Sequence, residues 1–200
     1  IVSNYAYNHW TDEKNPRGLW RRTKLTELSK ANPNWEILLD VDALGKAENE
    51  SWVLKQAQVQ RADSSRALVF LSRKGKDATV MREFDIPTKS FIKDGFTLPE
   101  AKMTVTWVDK DTLCVGTDFG PNSMTDSGYP RFMKIWKRGQ PLSQAQLLLE
   151  SPVKNMGMWA SSVYENGKYV VLISDRVTFY EGDTYVLDSS LKAVKMPMPK

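Results

Sequence analysis

The chain has 200 residues, enough for one sizeable domain with a core of its own. With 41% hydrophobic and 26% charged residues and no low-complexity tract, it is not a disordered segment. The net charge of +4, from 28 basic and 24 acidic residues, is mild and spread along the chain, which argues against a strongly charged binding tail.

No apolar run reaches the roughly 18–20 residues that a membrane-spanning helix needs, so no membrane partner is expected. Cys114 is the only cysteine, so no internal disulfide can form; this suits the cytoplasm and is compatible with the periplasm. The chain starts at Ile1 rather than Met, which reads as a processed or excised piece. Trp, Tyr and Phe number seven each, and aromatic residues favour strands and large sheet cores.

Along the chain, alternation with a period of two dominates. Gly18-Leu19-Trp20-Arg21-Arg22-Thr23 reads as an early strand, and Asn34 to Asp40 as an outer one. Ala67-Leu68-Val69-Phe70-Leu71-Ser72 follows the polar turn Asp63-Ser64-Ser65. Thr112-Leu113-Cys114-Val115-Gly116-Thr117 follows Asp109-Lys110-Asp111, and Tyr169-Val170-Val171-Leu172-Ile173-Ser174 follows Glu165-Asn166-Gly167-Lys168. Each is a turn and then an inner strand. Asn166-Gly167 is the sharpest hairpin signal, because both residues tolerate a positive φ. A partner strand follows each run: 79–84, 131–136 and 184–187. The stretch from Ser143 to Leu149 has some helical character, but after Pro141 it is expected to start an outer strand.

Aligned, these segments give a repeat of roughly 45–60 residues. Trp52, Trp107 and Trp159 hold similar positions ahead of their turn-plus-strand units. Four units are expected, at about 3–50, 51–100, 101–151 and 152–200. Each would be a four-stranded antiparallel blade that must stack on its neighbours to bury both faces. From pattern alone, a sandwich or closed barrel also fits many short strands with turn signals.

The candidates for chemistry are few. A Ser-His-acid triad needs an imidazole base, and the only histidine is His9, in an alternating strand where a structural role is expected. No Gly-x-Ser-x-Gly elbow occurs. Gly116-Thr117-Asp118-Phe119-Gly120 has the spacing with Asp118 at its centre, but a loop and not a helix follows. One Cys and one His cannot build a zinc tetrad. Asp109 with Asp111, and Glu181 with Asp183, lack calcium-loop spacing and read as turn residues. No phosphate-binding glycine loop is present. Catalytic, cofactor-binding and metal-binding residues are therefore all expected to be absent.

Arg17, Arg21, Arg22 and Lys24 form a basic cluster beside aromatic residues, read as a solvated strand face and not as a nucleic-acid site. Cys114 reads as a buried small hydrophobe. Asn49-Glu50-Ser51 is a glycosylation triplet that needs a secretory context. The long polar loop 119–130 is the most function-like local feature, since long loops on rigid sheets bind or gate.

Several stretches resemble bacterial members of the prolyl oligopeptidase family. Tyr7-Asn8-His9-Trp10-Thr11-Asp12 and Asn15-Pro16-Arg17-Gly18-Leu19-Trp20-Arg21-Arg22-Thr23 look like the start of that family's propeller. Asn34-Trp35-Glu36-Ile37-Leu38-Leu39-Asp40 is similar to the outer strand that follows. Leu98-Pro99-Glu100-Ala101-Lys102, with Trp107, resembles the start of the third blade. Thr117-Asp118-Phe119-Gly120 and Thr125-Asp126-Ser127-Gly128-Tyr129-Pro130-Arg131 resemble the next hairpin and loop.

The resemblance implies a serine peptidase with a seven-bladed propeller and an α/β-hydrolase domain. That domain cleaves short peptides, typically after proline, through a Ser-Asp-His triad. This chain would hold about four of the seven blades as an open arc, with the hydrolase domain absent, so no catalytic residue carries over. Lys102-Met103-Thr104-Val105 stands where the family can place a hydrophobic substrate contact, and it has no aromatic there.

The implied role is a non-catalytic gate and size filter. Its partners would be the hydrolase domain of the full-length protein and, through it, a peptide substrate; no cofactor is implied. The rival reading is a free-standing propeller scaffold for a protein or carbohydrate. An open arc would expose two apolar blade faces, so self-association of the isolated chain is expected.

Overall fold

The computed structural model describes residues 1–197. The end of the fourth expected unit, 198–200, lies outside the described residues. The chain divides into two compact units, Ile1–Glu100 and the part from Ala101 onward.

The first unit carries two antiparallel sheets. β1 (Tyr5–Trp10), β2 (Leu19–Lys24) and β3 (Glu36–Asp40) form the first, in that order. His9 pairs with Trp20, and Trp20 with Leu39. Next comes a helix, α1 (Val41–Glu48), then β4 (Trp52–Val59), β5 (Arg66–Arg73), β6 (Thr79–Asp85), β7 (Ser90–Phe91) and β8 (Thr97–Ala101). The second sheet runs β4-β5-β6-β7, with β8 also paired to β6.

The apolar run 67–71 is continuous because β5 lies between β4 and β6 and is buried on both faces. The core of this unit joins the two sheets through Trp20, Leu38, Leu39, Trp52, Leu71 and Phe84. Trp20 and Phe84 meet edge to face, their ring centroids 5.4 Å apart.

In the second unit, β9 (Thr104–Asp109), β10 (Thr112–Gly116), β11 (Phe132–Lys137) and β12 (Gln146–Glu150) form one four-stranded sheet. β13 (Gly157–Glu165), β14 (Lys168–Arg176), β15 (Gly182–Leu187) and β16 (Ala193–Lys195) form another. Cys114, Met133 and Ile135 of the former pack on Met158, Val171 and Ile173 of the latter. The alternation in the middle of β14 follows from this packing: Val171 and Ile173 are buried, whereas Val170 is 44% exposed. After Pro141 the chain makes one 3₁₀ turn at Leu142–Gln144 and then β12, as the sequence suggests.

The nearly all-β architecture of successive antiparallel sheets is the one expected, but two details differ. The first sheet has three strands, because β3 runs directly into α1. Asp40 is extended and its Oδ1 accepts the Ala43 N–H at 2.9 Å, capping the helix. The fully buried Val41 then anchors the helix to the core. The second sheet has a fifth strand, because β8, which overlaps the stretch 98–102 that resembles the start of the third blade, pairs with β6. Glu83 holds this edge in place: its Oε2 accepts the Phe96 N–H at 2.9 Å, and its own N–H donates to Phe96 O at 2.8 Å.

Candidate contact surface

In an up-and-down sheet, the loop after the second strand and the loop after the fourth leave at the same end. In the second unit these are 117–131, between β10 and β11, and 151–156, between β12 and β13. The end of β14, at Asp175 and Arg176, joins loop 151–156 through hydrogen bonds, and 151–156 in turn bonds to 117–131. Thr125 Oγ1 donates to Met156 O at 3.0 Å, and Asp126 N donates to Val153 O at 2.9 Å. Met156 N donates to Arg176 O at 2.8 Å, and Ser151 Oγ to Asp175 Oδ1 at 2.6 Å. Lys154 Nζ lies 2.6 Å from Asp126 Oδ2.

Loop 119–130 is thus a braced element. Asp118 Oδ1 accepts the Gly120 N–H at 2.8 Å, the arrangement of a turn residue and not of a nucleophile. Ser123, buried, accepts the Phe119 N–H at 2.8 Å and donates to Gly120 O at 2.6 Å. Arg131 ties three segments: Nε donates to Ser151 O at 2.8 Å, a terminal nitrogen to Asn122 O at 3.0 Å, and the other binds Glu150. Tyr129 packs its ring 5.1 Å from that of Trp159, and Lys102 Nζ lies over the Tyr129 ring, 4.3 Å from its centroid.

Beyond Arg176 the chain turns in a hairpin tip, 177–181, between β14 and β15. Val177 N donates to Glu181 O at 2.9 Å, and Glu181 N to Thr178 Oγ1 at 3.1 Å, so the tip has a defined shape. Yet Phe179 is 78% and Tyr180 94% exposed, with Val177 and Val153 also exposed nearby in the loops. Two adjacent aromatics held in solvent on an ordered loop form a surface suited to contact with another apolar group. The available signal was the run Val177-Thr178-Phe179-Tyr180, apolar residues where a turn should be polar.

His9 is exposed on β1, and its Nε2 lies 3.0 Å from Arg17 O. The guanidinium of Arg21 lies between the rings of Trp10 and Trp35, 4.4 and 4.5 Å from their centroids, and its Nε donates to Asn8 Oδ1 at 2.9 Å. Arg22 pairs with Glu36 at 2.7 Å, and Arg17 donates to Ser51 Oγ at 3.0 Å. These arginines are therefore committed to neighbours within their own unit.

Cys114 is buried, and burial pushes its thiol up to about 12. Asp111 pairs with Arg138 at 2.8 Å, and Asp183 with Lys195 at 2.8 Å. Among the described residues, no group of three His, Cys, Asp or Glu side chains is placed to hold a metal ion. Asn49 is the left-handed residue that ends α1.

Residues 2–197 match the family described as the prolyl oligopeptidase N-terminal β-propeller domain. An uncharacterized peptidase of Rickettsia prowazekii is 35% identical over 98% of this chain and 28% of its own length. One of Sinorhizobium fredii is 42% identical over 84% of this chain and 23% of its own. A solved post-proline cleaving enzyme from Rickettsia typhi superposes with a TM-score of 0.91 at 36% identity, over the whole of this chain and 31% of that one. Oligopeptidase B from Leishmania major shares the fold, at a TM-score of 0.75 and 11% identity. The chain thus spans about a quarter of the length of the curated peptidases it matches. By the family match and by the sheets that carry it, this chain belongs to the N-terminal β-propeller domains of the prolyl oligopeptidase family, peptidase family S9.

Proposed function

We propose that this chain is the non-catalytic cover of a serine peptidase that hydrolyses short peptides, with a preference for cleavage after proline. The observation that carries this reading is the braced loop end of the second unit, which holds Phe179 and Tyr180 in solvent. A rigid frame with apolar tips suits a surface that meets another domain and narrows the way in to it. The chain's own chemistry agrees with a supporting part. A Ser-His-acid relay would have to use His9, and that ring is engaged by the Arg17 carbonyl on an exposed strand. In this reading the triad belongs to an α/β-hydrolase domain elsewhere in the full-length protein, and opening between domains admits substrate. The solved relative from Rickettsia typhi, a post-proline cleaving enzyme, supports the proline preference.

The test uses the full-length protein. A proline-containing peptide of a few residues is compared with the same sequence embedded in a large folded protein. Efficient cleavage of the first with little of the second is expected. In F179A/Y180A that selectivity narrows, while the stability of the domain changes by no more than about 0.5 kcal/mol, as for exposed positions generally. Equal cleavage of both substrates by the unmodified protein overturns the reading.

A further inference from the structure

Asn166 and Gly167 are the two residues between β13 and β14, with Glu165 paired to Lys168 across the turn. Their φ values of 51° and 78° are both left-handed, the geometry that selects Asn-Gly. Both residues are exposed, and nothing lies within 4 Å of where a Gly167 side chain would begin. Among the described turn and loop hydrogen bonds, none uses the Gly167 N–H. The side-chain carbonyl carbon of Asn166 therefore has a neighbouring backbone amide that is neither shielded nor bonded.

The other asparagines differ. The amides that follow Asn4, Asn49, Asn122 and Asn155 donate to Val2 O, Gly45 O, Gly120 O and Arg176 O. Asn15 and Asn32 precede Pro16 and Pro33, which have no N–H. Asn8 and Asn34 precede the bulky His9 and Trp35. Asp94-Gly95 has a similar local sequence, but Gly95 N donates to Ile92 O at 3.2 Å.

We infer that Asn166 is a site of spontaneous deamidation through a cyclic imide, and that the product loosens the β13–β14 hairpin. The Gly167 nitrogen, losing its proton, bonds to Asn166 Cγ. The Cγ–Nδ2 bond breaks, and ammonia leaves with the proton. Water then opens the ring at either carbonyl, giving aspartate or isoaspartate. Water is consumed, ammonia is released and nothing is oxidised or reduced. Isoaspartate routes the backbone through its own Cβ and Cγ, adding an atom to a turn of two residues. The Glu165–Lys168 closure then no longer fits, and the adjacent Tyr164–Tyr169 ring pair, 4.8 Å apart, lies next in line. Either product also places a carboxylate beside Glu165.

The test is incubation of the chain at pH 6 and pH 8, followed by peptide mapping with separation of aspartate and isoaspartate. Asn166 is expected to convert faster than any other asparagine by about tenfold or more, the factor set by one ordinary backbone hydrogen bond on the competing amides. Conversion is expected to be faster at pH 8, with one oxygen incorporated from heavy-oxygen water per event. Gly167→Ala slows it; since that variant strains a left-handed residue, Asn166→Gln serves as a second one, its larger ring closing far more slowly. Conversion of Asn166 no faster than that of Asn49 or Asn155 overturns the inference, as does an unaltered β13–β14 hairpin, by amide exchange, in the isoaspartate form.

Discussion

Trp52 donates its indole N–H to Glu48 Oε2 at 2.8 Å, so the last turn of α1 is fastened to the first strand of the second sheet. Arg82 completes the link with two bonds to the same carboxylate, at 2.6 and 2.8 Å, and its guanidinium lies 5.2 Å from the Trp52 ring. The hydrogen bond from Arg82 holds the Glu48 carboxyl below its ordinary value of 4.5, against the opposing effect of burial. A depressed folded value means that the contribution is present above the unfolded value and is lost as pH falls through the folded one. Glu48→Gln should therefore cost about 1 kcal/mol near pH 7, discounted for the partial exposure of the pair. The difference should shrink steadily below about pH 4.5. Urea unfolding of both proteins at pH 7 and pH 3.5 reads this directly, and a gap that does not depend on pH would show that Glu48 acts only through shape.

The Tyr129–Trp159 contact depends on a residue with no side chain. Gly157 has φ 151°, and a Cβ there would come within 2.5 Å of Tyr129 Cβ. Gly157→Ala must both strain the backbone and displace the ring that anchors loop 119–130. A loss of about 2–4 kcal/mol is expected, combining a strained dihedral with an overpacked contact. Chemical denaturation should show it, with proteolysis within 119–130 as a local readout. Cleavage there should rise more than global unfolding explains.

What could be read from the sequence follows the range of the interaction. Hairpins are local, so β5, β10 and β14 and the turn at Asn166-Gly167 show in the residues themselves. The helix α1 does not show, because its eight residues include Gly45 and carry no long apolar stripe. It exists because Asp40 caps it and Val41 is buried by the sheets. The pairing of 97–101 with β6 was equally hidden, since an edge strand joins whichever neighbour has a free ladder, and Glu83 decides that from fourteen or more residues away. Phe179 and Tyr180 were missed for a different reason. Aromatics beside strands suggest a core, and only the fold shows that these two face solvent.

Cys114 sits in β10, fully buried against the fourth sheet. Its thiol, pushed up to about 12 by burial, stays protonated and unreactive throughout the neutral range. A thiol reagent at pH 8 should leave the native chain unlabelled and react fully once the chain is unfolded. Labelling should track unfolding as denaturant is added. Rapid labelling without denaturant would mean that the packing of β10 on its neighbours is wrong.

Thr117, at the mouth of loop 119–130, is fully buried, and its hydroxyl has no hydrogen-bond partner among the described residues. A buried hydroxyl left unpaired costs about 1–3 kcal/mol, whereas the methyl beside it contributes about 0.8 kcal/mol by its own burial. The two parts of this one side chain therefore act in opposite directions. Thr117→Val keeps the shape and removes the unpaired oxygen, and should stabilise the domain by about 1 kcal/mol. Thr117→Ser keeps the oxygen and removes the methyl, and should destabilise by about the same amount. Denaturation midpoints ordered Val above Thr above Ser are the expected outcome. The reverse order would mean that the hydroxyl is bonded in solution, and that loop 119–130 is held at its base by a contact beyond those described.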